Sequence, residues 1–303
     1  MQVTRLDLDG SGSPLGIVGK ILKAEPNLQI PVKIKELAHA LDIGEIQELT
    51  TEGFEGGLLT DEVRSFGAIL VKKGMNRHRR RFTIGHELGH FLIPTHKPVK
   101  EGQFLCSSQD MRRWSASEQN RAGRMEKEAN EFSAAVLLPP PHLRTFLSQW
   151  SDPDLKRMIA VHEHFDVSRE AASRAYARYQ GHRIAMIVAK NGQILRIYTS
   201  DNMPRLAVKR GEAIPGATVQ NSEGPPGTVS DLKYADAGRW IESKWGDRLP
   251  TTYVQVLMQS EGYATVMLWC EPDQRDDDDF DPDADKTAKQ RMRDRDDTYY
   301  PYR

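Results

Sequence analysis

Cysteine is nearly absent from this 303-residue chain: only Cys106 and Cys270 occur, far apart and outside any Cys-x-x-Cys spacing. That argues against a disulfide framework and favours a reducing compartment. Long apolar runs are missing too. No stretch approaches the roughly 20 apolar residues needed to cross a bilayer, and the segment from Met1 to Asp7 lacks the apolar core of a signal peptide. A soluble, cytoplasmic protein is expected. Neither sign of charge dominates, since 42 Lys and Arg stand against 43 Asp and Glu, for a formal net charge of -1. Bulk charge therefore gives no case for tight nucleic-acid binding. No internal repeat is apparent.

The patterning that is present changes along the chain. Helices are expected around Ile17 to Leu22, over Val32 to Leu41 with Gly44 closing it, and over Thr83 to Ile93, stopped by Pro94. Ala68 to Lys73 reads as a strand, and 97–117 as a long loop. Glu118 to Leu138 is strongly helical and ends at Pro139, Pro140 and Pro141. Two further helices follow, at Asp154 to Phe165 and Arg169 to Tyr179, the second capped by Ser168. From Gly181 the pattern becomes strand-like. Asn191-Gly192 sits between Ile184–Val188 and Ile194–Tyr198, and Ser260-Glu261-Gly262 sits between Tyr253–Met258 and Tyr263–Trp269, both as hairpin turns. These changes suggest a chain in three parts: a helix-rich domain over 1–180, a mostly antiparallel β-rich domain over 181–271 with a sensor or regulatory role, and a disordered polar tail over 272–303. The fold class is α+β.

One passage carries chemistry: His86-Glu87-Leu88-Gly89-His90. Helix positions four apart share a face, so both imidazoles can reach one zinc ion at about 2.0–2.1 Å. Glu87, beside the first ligand, is placed to act as general base on an activated water. A catalytic zinc needs a third protein ligand and one open position. Glu126, in Glu126-Lys127-Glu128-Ala129-Asn130, is favoured because Asn130 shares its helix face and can orient a ligand from behind. His96, six residues after His90, is an alternative third ligand, although Ile93 stands where a chain reversal at that spacing wants glycine. Glu128 is a less well-placed alternative.

With these residues in view, the sequence resembles the ImmA/IrrE metallopeptidases. The resemblance rests on Arg81-Phe82-Thr83-Ile84-Gly85-His86-Glu87-Leu88-Gly89-His90-Phe91, followed by the segment from Glu126 to Pro139, and more weakly on Phe165 to Ala171. It covers about residues 30 to 180. It implies a gluzincin-like fold of helices around a small sheet, with His86, His90 and Glu126 as zinc ligands and Glu87 as the base. It also implies cleavage of a separate helix-turn-helix repressor, which derepresses stress, mobile-element or defence genes. Single-stranded DNA, a product of DNA damage, is the activating signal implied by resemblance.

Three further features bear on regulation. Cys106 lies between the two ligand motifs, where its thiolate could close the open coordination position as an inhibitory ligand; a small buried hydrophobe is the plainer reading. The run Arg77-His78-Arg79-Arg80-Arg81 offers Arg77, Arg79, Arg80 and Arg81 as a local nucleic-acid patch, against the commoner reading of solvated surface. The strand Ala68 to Lys73 could pair with an extended substrate or serve as sheet core. A zinc-containing regulator or nucleic-acid sensor that binds without cutting is the alternative function.

Overall fold

A computed structural model describes residues 1–51, 53–97, 103–106 (backbone only), 121–216, 224–244 and 248–272. Residues Met1–Cys270 form one compact unit. The second unit, Glu271–Arg303, is described only at its first two residues, so the expectation of a disordered tail falls almost wholly outside the described residues.

The chain begins with α1 (Pro14–Ala24) and α2 (Ile34–Ala40), then forms β1 (Ile43–Leu49), β2 (Gly56–Thr60) and β3 (Gly67–Lys72). Helix α3 (Arg77–Leu92) follows, then β4 (Gln103–Cys106) and α4 (Arg121–Leu137). Strands pair in the order β1-β3-β2-β4, with β1 parallel to β3 and the other pairs antiparallel. Strand β3 thus has both edges occupied, which excludes pairing of this strand with a substrate and leaves its alternative role as sheet core. The stretch expected to be a long loop contains β4, whose backbone pairs with β2 from Gly56↔Cys106 to Leu59↔Gln103.

Beyond α4 come α5 (Pro140–Leu147), α6 (Leu155–Phe165) and α7 (Arg169–Tyr179). The prolines that stop α4 also start α5, because proline at the first helical position loses no hydrogen bond. Ser168 caps α7 by accepting from Ala171 N at 3.1 Å. The remaining strands are β5 (Arg183–Lys190), β6 (Gln193–Thr199), β7 (Lys233–Tyr234), β8 (Thr252–Met258) and β9 (Tyr263–Cys270). They form an antiparallel sheet in the order β6-β5-β9-β8-β7. Strand β5 is buried on both faces, which explains its unbroken apolar run. Ile184 and Met186 join the main core with the helices, whereas Ala185, Ile187 and Ala189 join a second core with Trp240 and Ile241. The α+β class stands, and the main core crosses the 180/181 position where the pattern changes. No described helix is long and apolar enough to cross a membrane.

Candidate metal centre

Helix α3 starts six residues earlier than its apolar pattern suggested. Asn76 caps it by accepting from Arg79 N at 2.9 Å, and the arginine run forms its first turns. Cations at a helix N-terminus oppose the helix dipole, and acidic residues from elsewhere offset them. Arg77 and Arg81 reach Asp166 at 2.9 and 3.2 Å, Arg80 reaches Glu48 at 2.7 Å, and Arg79 pairs with Glu55. Of the four arginines, only Arg77 keeps most of its side chain (74%) in solvent.

Two turns further on, α3 packs against α4 at unusually close range, and its glycines are the reason. A Cβ on Gly85 would lie 2.6 Å from Ser133 Oγ; one on Gly89 would lie 3.1 Å from Phe132 Cδ1 and 3.2 Å from the Ala129 backbone. Ser133 Oγ also donates to Phe82 O at 2.7 Å, tying the helices together. This contact brings α4 near enough for the Glu126 carboxylate to meet the imidazoles of α3.

His86 and His90 are fully buried, and their Nε2 atoms lie 3.1 Å apart. Glu126, with 13% of its side chain exposed, places Oε2 at 3.2 Å from His86 Nε2 and Oε1 at 3.4 Å from His90 Nε2. Four bonds of about 2.0–2.1 Å in a tetrahedron would put donor atoms roughly 3.3–3.4 Å apart, so the spacing suits a small tetrahedral cation. The donor chemistry fits as well. His86 Nδ1 lies 3.1 Å from Asn130 Oδ1, an acceptor, so a His86 that offers Nε2 to a metal finds a partner for its Nδ1 proton in this oxygen. Burial pushes His90 down to about 4. Burial opposes ionisation of Glu126, but hydrogen bonds with His86 and His90 outweigh it and hold that carboxyl well below the usual range. A neutral His90 imidazole and an ionised carboxylate are the forms that bind metal.

Glu87 is fully buried on α3, directly after the first imidazole. His96 is also fully buried, but it stands behind His90 rather than beside Glu126: its Nδ1 lies 3.0 Å from His90 Nδ1, and its Nε2 lies 2.9 Å from Glu128 Oε2. Among the described residues, the group whose ligand atoms all lie within 4.8 Å of one another is His86, His90 and Glu126. Cys106 ends β4 opposite Gly56, not in an irregular loop, and its side chain lies outside the described residues.

Sequence reasoning missed Arg64. It sits in the turn between β2 and β3 at φ +51°, and its guanidinium donates to the carbonyls of His90, Phe91 and Ile93 at 3.2, 3.3 and 2.8 Å. It thereby caps the C-terminus of the helix that carries both imidazoles. No local pattern marks this role, because the contact spans nearly 30 positions.

Paired imidazoles on one helix and a carboxylate on the next, beside a buried glutamate, make a group that could hold a metal ion. Residues 45–176 match the family model described as the IrrE N-terminal-like domain, Peptidase_M78, so this stretch is an ImmA/IrrE-family domain, as the resemblance implied. The match spans both imidazoles, Glu87, Glu126 and Asn130. No relative among curated proteins matches the chain. One similar solved structure is a Mycobacterium tuberculosis transcriptional regulator, 12% identical, with 88% of this chain and 74% of that one covered at a TM-score of 0.45. A likeness that distant carries no argument about activity.

Proposed function

We propose that the chain is a zinc-dependent endopeptidase with a gluzincin-like site, and that it cleaves a separate helix-turn-helix repressor to derepress stress, mobile-element or defence genes. The observation that carries the chemistry is the approach of His86 Nε2, His90 Nε2 and the Glu126 carboxylate to within 3.1–3.4 Å of one another. The repressor substrate, and single-stranded DNA as activator, follow from the family resemblance. Zinc is favoured over harder cations by a donor set of two imidazoles and one carboxylate.

In this reading His86, His90 and Glu126 hold the ion, and Asn130 keeps the His86 ring turned toward it. When bound, the ion supplies Lewis acidity, acidifying water and polarising the scissile carbonyl. Glu87 accepts the proton of the attacking water and returns it to the leaving amine nitrogen as the C–N bond breaks. Cys106 acts as an inhibitory ligand; Cys106→Ser then raises basal cleavage, and unchanged cleavage removes the lock.

The test is Glu87→Gln, assayed on a helix-turn-helix protein found in an adjoining reading frame, with zinc measured by elemental analysis. Retained zinc and partner binding, with cleavage reduced about 10²–10⁴-fold, is expected. Equal cleavage by the variant rejects the general base, and absence of metal from the wild type rejects the site. Regulation of the partner without any cut peptide favours the non-proteolytic alternative.

A further inference from the structure

We propose that Glu128 and His96 form a hydrogen-bond relay that orients His90 as a metal ligand. The two imidazoles are then held from behind by different chemistry, an amide for His86 and a carboxylate-backed imidazole for His90. The inference rests on the metal-site reading above and extends it to residues outside the ligand set.

Hydrogen-bond polarity gives the relay its direction. His90 and His96 face each other through their Nδ1 atoms at 3.0 Å, so one must donate and the other accept. His90 Nε2 is turned to His86 Nε2 and Glu126, so a His90 that offers this lone pair to a metal carries its proton on Nδ1 and is the donor. His96 must then accept at Nδ1 and carry its own proton on Nε2. That proton points at Glu128 Oε2, 2.9 Å away, a pure acceptor when ionised. With neutral rings, the opposite polarity would set a bare His96 Nε2 against a carboxylate oxygen. Two acceptors do not rest at that distance.

The ring is also placed firmly. His96 is fully buried in the turn after α3, where its backbone N–H reaches Ile93 O at 3.2 Å. Arg64 clamps the same turn and the end of α3 through the carbonyls of His90, Phe91 and Ile93. Glu128, by contrast, keeps 40% of its side chain exposed. A solvent-facing carboxylate thus communicates with a buried ligand through one intervening ring. Helix α4 contributes at alternate positions Glu126, which faces both imidazoles, Glu128, which backs His90 through His96, and Asn130, which backs His86. Partners of this kind fix ring orientation and raise ligand basicity, and losing one typically costs about 10–100-fold in metal affinity.

The experiment uses the full chain and zinc alone, with affinity measured by competition against a chromophoric chelator. His96→Phe and Glu128→Leu should each weaken zinc binding about 10–100-fold. Glu128→Gln, whose amide oxygen can still accept, should recover part of that loss. Unfolding of the metal-free protein should be little changed in the Glu128 variants, because that side chain is partly exposed. Nitrogen-15 histidine spectra of the zinc-loaded wild type should show His90 protonated at Nδ1 and His96 at Nε2. Wild-type zinc affinity in Glu128→Leu, or a His96 proton on Nδ1, overturns the relay while the wild type still takes up zinc. A wild type that takes up none overturns the metal site and the relay together. Should His96→Phe fail to fold, the Glu128 variants and the spectra still decide.

Discussion

The α3/α4 pair and the five-stranded sheet bury polar side chains in opposite ways. In the helix pair and the turn after it, Thr83, His86, Glu87, His90, His96, Asn130 and Ser133 are all fully buried, and His86 and His96 bond to Asn130 and Glu128 across the interface. In the sheet, buried polar groups are fewer and mostly serve as anchors: Gln255 accepts from Leu155 N at 2.7 Å, and Thr252 donates to Pro250 O at 2.9 Å. A polar network between side chains is costly wherever one member is lost, so its concentration at one helix contact marks where the fold carries chemistry. The sheet carries apolar burial instead. The contrast separates what stabilises this chain from what equips it.

Substitutions should divide along the same line. The largest loss of stability is expected from Ile187→Ala, which empties a fully buried position between Ile197 and Val266. Thermal or denaturant unfolding should report a loss of about 2–5 kcal/mol, with zinc affinity of the folded protein unchanged. Gly89→Leu should lower stability and zinc affinity together. Leucine favours helix, so any loss must come from pushing against Phe132 and Ala129, at a cost of about 1–3 kcal/mol. Because α4 must move, zinc affinity should fall with it; retained affinity would break the claim that this contact sets the site. Asn130→Ala should cost about 10–100-fold in zinc affinity, read by chelator competition, through the released His86 ring. The smallest effect belongs to Ser168→Ala, which removes a helix cap from α7, the helix that packs on β5 and β6. A loss of about 1 kcal/mol in unfolding, with no change in metal binding, is expected.

Much of the fold was legible where sequence periodicity and turn chemistry act locally. The hairpins at Asn191-Gly192 and Ser260 to Gly262 stand where their turn residues placed them, with positive φ at Asn191, Gly192, Glu261 and Gly262. Helices α6 and α7 follow their apolar spacing and caps. Other elements were not legible. Strand β1 was hidden because only its first residue is fully buried, and Gly44 looked like a helix stop. Gly44 stands instead inside β1, beside the exposed ring of Phe66. The basic run looked like free surface because its acidic partners Glu48, Glu55 and Asp166 lie far along the chain.

For the candidate site, the sequence alone determined that two imidazoles share a helix face with Glu87 between them, because four residues make about one helical turn. It favoured Glu126 as the third group to meet them, with His96 and Glu128 as alternatives. Glu126, Glu128 and His96 were all chemically eligible, and local spacing cannot measure the gap between two elements more than 30 residues apart. The distances came only with the tertiary structure: glycines let α4 approach α3, Glu126 lies 3.2 and 3.4 Å from the two Nε2 atoms, and His96 stands behind His90 against Glu128.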